Sequence, residues 1–219
     1  MSTSYRTVRD QVDAACLEAG RDPGEVTLIA VSKFHGLDRI REAMAEGCVD
    51  FGESRPQELR DKHNELHGVN WHFIGPLQRN KAKYVAKAAC MVHSLDDLRV
   101  AQELARRADR PLPVLAEANL SGADNKKGVR LDETLAFCDE LMKLEPLQLC
   151  GLMGMAPWLD DPEDTAPYFR ALRELRDEGV RRGLPLTELS MGMSSDFRQA
   201  IREGSTLVRV GTAIFGARQ

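Results

Sequence analysis

The residue with the clearest chemical potential is a lysine at the end of an apolar, β-branched run. The run Val26–Ser32 is typical of a buried strand, and Lys33 lies where that strand passes into a loop. A lysine at a strand end is commonly a solvated cation, because long charged side chains normally leave the core. An amine held in a pocket beside another cation is instead a nucleophile that forms a Schiff base with a carbonyl compound. The rest of the sequence decides between the two interpretations.

A second segment with chemical potential is Ser190–Asp196, with the sequence SMGMSSD. Here a predicted strand ends in a turn that contains Met191 and Gly192, and small hydroxyl residues precede a helix. The free N–H groups at a helix start favour anions, so the segment predicts an anion site that includes Ser194. The alternative is an ordinary helix cap, in which Ser194 or Ser195 accepts from the next turn.

The third segment is Val208–Thr212, the end of the last predicted strand. Strand alternation places Arg209 and Gly211 on one face and the valines on the other, so Arg209 points inward if the valines face helices. A buried guanidinium needs a partner, and the simplest one is an inward acid such as Glu117. Loops after the seventh and eighth strands often bind phosphate in barrels, so Gly211 and Thr212 are candidates for the same anion site.

Other titratable residues give weaker signals. His63 and His67 have i, i+4 spacing, but Asn64 stands where a zinc protease motif needs glutamate, so we expect an exposed helical face and no metal site. Glu53 and His93 lie at strand ends, where they either line the site or only form hydrogen bonds within it.

These residues must be positioned by an alternation of strands and helices. Eight strands are predicted to begin near residues 26, 48, 71, 90, 112, 147, 187 and 206, with seven helices between them and an extra helix over 4–19. One helix is predicted to open at Gly52, and another to start from the pair Ser94 and Asp97. The alternation predicts a parallel sheet, and no G-x-G-x-x-G follows the first strand. We therefore predict an α/β fold, a single-domain (β/α)8 TIM barrel over 1–219, with residues 1–25 forming the N-terminal helix and lead-in.

The composition sets the broad class. The chain has 219 residues, 42% hydrophobic and 29% charged, with a formal net charge of −4, which fits an ordinary globular protein without an electrostatic footprint for nucleic acid or membranes. No apolar run is long enough for a signal peptide or a membrane span. The five cysteines form no C-x-x-C pair, which favours reduced thiols. We expect a cytoplasmic monomer.

Several longer motifs resemble the YggS/PROSC family of pyridoxal-phosphate (PLP) homeostasis proteins. The resemblance runs from Val26 to Gly216, and the motifs that carry it are AVSK (30–33), FGE (51–53), RPQE (55–58), WHFIGPLQRNK (71–81), VHS (92–94), LSMGMSSDF (189–197) and VRVGTAIFG (208–216). That family has a single-domain barrel like the N-terminal domain of alanine racemase, which agrees with the predicted fold.

The resemblance implies roles for individual residues. Lys33 is the implied Schiff-base lysine, Arg209 faces the pyridine nitrogen of PLP, and the implied phosphate site contains Ser194, Gly211 and Thr212. Further implied cofactor-binding residues are Asn80, Met191 and Gly192. Two positions depart from the family pattern, because Ser54 replaces the usual asparagine and Pro76 replaces a frequent histidine.

The resemblance implies a carrier or regulator that stores PLP and delivers it to PLP-dependent apo-enzymes, rather than an enzyme. An arginine beside the pyridine nitrogen disfavours protonation of the ring and weakens the electron sink of PLP catalysis. The rival function is an amino-acid racemase of the alanine-racemase type, which needs a second acid/base from a tyrosine of a C-terminal β domain. None of Tyr5, Tyr84 and Tyr168 lies at a predicted strand end, and we expect no such domain. A third hypothesis is a barrel enzyme that acts on a phosphorylated metabolite through Lys33.

Overall fold

The computed structural model describes residues 4–123 and 125–216. Within them, eight parallel strands close into a barrel in the order β1-β2-β3-β4-β5-β7-β8-β9, with β9 pairing back onto β1. A ninth, two-residue strand, β6, pairs with β5 beside the ring. The strands are β1 Thr27–Val31, β2 Asp50–Glu53, β3 Asn70–Phe73, β4 Met91–Leu95, β5 Leu112–Asn119, β6 Val129–Arg130, β7 Leu147–Gly154, β8 Glu188–Ser190 and β9 Leu207–Val210. The predicted TIM-barrel fold is confirmed.

The helices cover the outside of the barrel, as the alternation predicts. The extra N-terminal helix is present, with Ser4 as its N-cap, and it buries one apolar face that includes Val8 and Val12. No helix in the described part of the chain is both long and apolar enough to cross a membrane. The helices are α1 Tyr5–Glu18, α2 Leu37–Ala45, α3 Pro56–Glu65, α4 Ala82–Ala88, α5 Leu98–Arg107, α6 Leu131–Leu141, α7 Ala166–Arg181, α8 Phe197–Arg202 and α9 Thr212–Phe215.

The core has two layers, one on each face of the sheet. A small cluster inside the barrel contains Ile29, Leu115, Met153 and Leu207, whereas the large cluster outside packs the strands against the helices. On β9, Leu207 belongs to the inner cluster, and Val208 and Val210 belong to the outer one. The alternation predicted for this strand is therefore confirmed, and it points Arg209 into the barrel.

Two predicted helix starts are wrong. Gly52 and Glu53 pair with β3 in the sheet, so α3 begins only at Pro56. Ser94 likewise stays in β4, where its hydroxyl donates to the Gly75 carbonyl, and Asp97 alone caps α5 by accepting from the Arg99 N–H. In both cases the hydrogen bonds of the parallel sheet outweigh the local signal for a helix.

Candidate functional site

A cleft of about 410 Å³ opens where the strands end at the carboxyl face of the barrel. It brings together five of the predicted site residues, which come from opposite ends of the sequence: Lys33 after β1, Ser194 after β8, and Arg209, Gly211 and Thr212 on and after β9. Ser54, one of the two departures from the family pattern, also lines this cleft. The segments predicted from chemistry alone thus line one cleft.

Three other predicted residues lie outside the cleft lining. Met191 is fully buried in the outer core, and Gly192 adopts a φ of +93°, where a Cβ would lie 2.6 Å from the Ala200 Cβ. These two residues shape the turn that carries Ser194. Asn80 is exposed in the 3-10 turn Arg79–Lys81. Contact of these three with a cofactor stays a prediction.

The turn before α8 is held by an aspartate rather than by its serines. Asp196 occupies the N-cap position, and its Oδ1 accepts from the Met193 N–H at 2.6 Å. Burial raises the pKa of Asp196, and the Met193 N–H opposes that shift. The Asp196 carboxylate bonds back to Met193 and not into α8, and among the described residues neither serine accepts a hydrogen bond from the helix, so the capping alternative for Ser194 and Ser195 is wrong and both serines line the cleft.

Arg209 is a buried cation that is held by neutral acceptors. Its guanidinium donates to the Ser190 Oγ at 2.5 Å and to the Gly154 carbonyl at 3.2 Å. Burial lowers its pKa to about 10, while Glu117 and Asp196 act in the opposite direction. Among the described residues Glu117 makes no ion pair with Arg209 and acts on it only through space. The guanidinium is thus charged at neutral pH and faces the cleft.

A chain of hydrogen bonds leads from Arg209 through the barrel to its other end. Ser190 Oγ lies 2.8 Å from His93 Nδ1, His93 Nε2 lies 3.0 Å from His72 Nδ1, and His72 Nε2 lies 3.2 Å from Asp50 Oδ1. Burial, with help from the charges of His72 and Arg209, lowers the pKa of His93 well below its ordinary value. His93 is therefore neutral and links Arg209 to His72.

His72 has the opposite electrostatic character. Burial disfavours its charged form, but the Asp50 and Cys90 side chains together outweigh burial and raise the pKa of His72 to about 9. His93 was a predicted candidate from the sequence, whereas His72 was not. The available signal was a second histidine on the neighbouring predicted strand, at a position that can face the same interior.

The turn that carries Lys33 is clamped by a buried ion pair. Lys62 Nζ donates to the Ser32 carbonyl at 2.8 Å and to Glu53 Oε1 at 2.7 Å, and the Ser32 hydroxyl donates to the same oxygen at 2.6 Å. Lys62 also donates to Glu58 Oε1 at 2.7 Å. The residue before Lys33 is therefore held from both its side chain and its backbone.

The residue after Lys33 is clamped as well. Phe34 has a φ of +69°, a left-handed conformation that is unfavourable for an aromatic residue. Its N–H donates to Glu58 Oε1 at 2.7 Å, and the Arg55 guanidinium lies 4.3 Å from its ring centroid. Glu58 thus joins Lys62 to Phe34. Neither Glu58 nor Lys62 was predicted from the sequence, because a Glu–Lys pair at i, i+4 is normally an exposed helical pair.

Loss of one partner of the ion pair beneath Lys33 should lower the free energy of unfolding more than loss of a surface salt bridge would. Burial raises the pKa of Glu53, and Lys62 and the Ser32 hydroxyl oppose that shift. The second carboxylate oxygen, Oε2, is buried without a hydrogen-bond partner among the described residues. Loss of Lys62 would leave Glu53 as an uncompensated buried charge.

The histidine pair His63 and His67 lies outside the cleft lining. Helix α3 ends at Glu65, so His67 lies beyond it and is exposed, which contradicts the prediction of a helix that reaches His67. In the described part of the chain, no group of three or more His, Cys, Asp or Glu side chains is placed to hold a metal ion.

We expect Lys62→Met to lower the free energy of unfolding by about 3–5 kcal/mol, because Glu53 would stay buried and unpaired. Urea unfolding followed by circular dichroism measures the loss. Lys87→Met on the exposed face of α4 is the matched control and should change stability by less than about 0.5 kcal/mol. Adding Glu53→Gln to Lys62→Met should recover part of the loss. A loss below about 1 kcal/mol in the single variant would contradict the clamp.

We also expect the His72–Asp50 contact to make stability depend on pH. The folded pKa of about 9 exceeds the ordinary value of about 6.5, so the contribution is complete below the ordinary value and is lost as pH rises through 9. Unfolding free energies measured from pH 6.5 to 9.5 should therefore fall more steeply in the wild type than in Asp50→Asn. Asp38→Asn, whose carboxylate is 95% exposed, should retain the wild-type slope. Equal slopes in wild type and Asp50→Asn would refute the assignment.

Comparison with known proteins identifies the family. Residues 14–219 match the family model described as alanine racemase, N-terminal domain. The chain is 41% identical to the pyridoxal phosphate homeostasis protein of Aquifex aeolicus, over 97% of this chain and 96% of that one. It is 42% identical to the protein of the same name from Pseudomonas aeruginosa, over 96% and 93%. The structure of Synechococcus elongatus PipY with PLP bound superposes with a TM-score of 0.81 at 34% identity, over 94% of this chain and all (100%) of that one. The chain therefore belongs to the family of pyridoxal phosphate homeostasis proteins.

Proposed function

We propose that this protein binds pyridoxal 5'-phosphate, as a Schiff base on Lys33, and serves PLP homeostasis by storing and delivering the cofactor. The observation that carries the proposal is the single cleft that joins Lys33, the buried Arg209 and the Ser194 and Gly211–Thr212 loops. The bound PLP of PipY and the names of the curated relatives support it.

The residues in the cleft fit the chemistry of PLP. The hydroxyls of Ser194 and Thr212 and the glycine at 211 suit a phosphate, since short side chains allow close approach to the backbone. Arg209 would face the pyridine nitrogen, and Lys33 would hold the aldehyde carbon. PLP supplies a carbonyl group that bonds reversibly to amines. The clamp on Ser32 and Phe34 would keep Lys33 oriented toward it.

We further propose that the protein is not an efficient enzyme. Arg209 is charged at neutral pH and only donates hydrogen bonds. It therefore cannot accept a proton from the ring nitrogen or stabilise its protonated form, as a carboxylate at this position would. PLP-dependent apo-enzymes are the proposed recipients of the cofactor. The five unpaired thiols suit a reducing compartment, and we propose a monomer that works in the cytoplasm.

We expect Lys33→Ala to abolish the covalent bond to PLP while the protein stays folded, because Lys33 lies in a turn outside the core. The measurement is the absorption spectrum after addition of PLP, followed by borohydride reduction and mass spectrometry of the labelled peptide. Lys83→Ala, on the exposed face of α4, is the control and should bind as the wild type does. Reduction products on Lys81 or Lys127 alone would refute the assignment.

The phosphate site is tested by ligands that differ only in the phosphate. Thr212→Val and Ser194→Ala should each lower the affinity for PLP by roughly 10-fold or more, since each removes a hydrogen bond to a charged group. Both variants should leave the affinity for pyridoxal nearly unchanged. Gly211→Val should lower the affinity for PLP further, because a Cβ at this position would lie 3.1 Å from the Val31 carbonyl oxygen. Equal losses for PLP and pyridoxal would argue against a phosphate role.

The non-catalytic proposal is tested by the α-proton of alanine in deuterated water. Loss of one positioned acid/base typically costs about 10²–10⁴-fold in rate, so exchange in the PLP-loaded protein should stay far below ordinary turnover of about 1–10³ s⁻¹. NMR and chiral analysis follow exchange and racemisation. Rapid, Lys33-dependent exchange with loss of stereochemistry would establish a racemase instead.

A further inference from the structure

A second cavity lies beside the PLP cleft, between the loops that follow β5 and β7. It has a volume of about 210 Å³, and Met155 and Met193 line both spaces. The cavity therefore adjoins the cleft that contains Lys33. It is large enough for a small metabolite, and none of the roles proposed above uses it.

A buried carboxylate lines this cavity. Glu117 lies two residues after Leu115 on β5, so it points into the barrel, and it is only 5% exposed. Within residues 4–123 and 125–216, neither a hydrogen bond nor an ion pair within 4.0 Å reaches its carboxylate. Because Glu117 lines the cavity, a ligand that brings a donor with a positive charge can reach its carboxylate and offset the cost of its partial burial.

The charges around Glu117 come from several elements. Burial raises the pKa of Glu117 to about 7, the Asp96 carboxylate adds to this shift, and Arg209 and Lys127 oppose it. Glu117 therefore loses its proton and becomes negatively charged as the pH rises through about 7. A ligand cation beside it would stabilise the carboxylate form.

The remaining walls suit the other parts of an amino acid. Lys126 and Lys127 supply positive charge at the rim, and Leu120, Pro157 and Trp158 supply apolar surface. The polar residue between them, Asn119, is already used, because its amide donates to the Ala123 carbonyl and accepts from Ser121. The cavity thus offers a carboxylate for an ammonium group, lysines for a carboxylate and an apolar wall for a side chain.

We propose that this cavity binds a small α-amino acid, with its ammonium group on Glu117 and its carboxylate on Lys126 and Lys127. The inference rests on the proposed function only in that the adjoining cleft would hold a carbonyl cofactor, with which amines react. Glu117 would take one proton from the ligand ammonium to its carboxylate, leaving a neutral amine and a carboxylic acid. A monoamine would leave the lysines unpaired, and a plain carboxylate would leave Glu117 without a donor.

Three probes separate these contacts: L-alanine, ethylamine, which lacks the carboxylate, and propionate, which lacks the ammonium group. Each is titrated against full-length Lys33→Ala protein without PLP, with Trp158 fluorescence and calorimetry as readouts. Trp158 is 85% exposed and lines the cavity, whereas Trp71 is buried at 2% exposure, and a Trp158→Phe variant verifies the source of the signal. Alanine should bind more tightly than either analogue, and its affinity should rise as pH rises through about 7.

The matched variants are Glu117→Gln and Lys127→Gln, each verified as folded by circular dichroism. Glu117→Gln should lower the affinity for alanine at least 10-fold and remove the dependence of that affinity on pH, because the amide keeps the shape of the side chain but not its charge. Lys127→Gln should lower the affinity for alanine and leave the affinity for ethylamine unchanged. In wild-type protein loaded with PLP, alanine should shift the cofactor spectrum at lower concentration than in Glu117→Gln.

The proposal is overturned if alanine gives neither a fluorescence change nor heat, or if alanine and ethylamine bind wild type and Glu117→Gln equally. Because the first titrations use protein without Lys33 and without cofactor, they can succeed even if PLP does not bond to Lys33. Failure of the proposed function would instead show as the absence of reduced pyridoxyl on Lys33 in the wild type.

Discussion

The pairing of the first barrel strand with the last is the constraint on which the candidate site depends. Ile29 of β1 lies opposite Arg209 of β9, and Ala30 lies opposite Val210. This register places the turn with Lys33 beside Gly211 and Thr212, although about 180 residues separate them in the chain. A shift by one residue would turn Arg209 toward the helices and a valine toward the cleft. The β1–β9 pairing that closes the barrel therefore also brings the candidate site residues together.

Several charged groups are buried in this fold, and the structure stabilises them in different ways. Arg209 is satisfied by a hydroxyl and a carbonyl rather than by a counter-ion. Lys62 is satisfied by two carboxylates and a carbonyl beneath Lys33. Since neutral acceptors leave its positive charge uncompensated, the Arg209 cation stays available to the cleft. The ion pair at Lys62 instead gives rigidity to a turn.

The same polar interior extends beyond the cleft in two directions. The histidine chain connects Arg209 to Asp50 at the opposite end of the barrel, and Glu117 brings a titratable carboxylate to the adjoining cavity. Arg209 lies between them and influences the pKa of both His93 and Glu117. Because these groups interact in a medium of low dielectric constant, a change of charge at one of them alters the others. The residue that would face the cofactor is thus also electrostatically coupled to both regions.

The sequence predicted the succession of the eight barrel strands, the inward direction of Arg209 and five of the residues that line the cleft. Those features follow from local periodicity and from the meeting of strand ends in a barrel. It did not predict that Lys62 is buried beneath Lys33, that His72 continues the chain from His93, or that no hydrogen-bond donor of the described residues reaches Glu117. Each of these depends on which groups distant segments bring within hydrogen-bond distance, and a helical Lys62 has the same local pattern whether it faces solvent or Glu53. The helix starts at Gly52 and Ser94 were wrong for the same reason, because the hydrogen bonds that keep both residues in strands come from neighbouring strands.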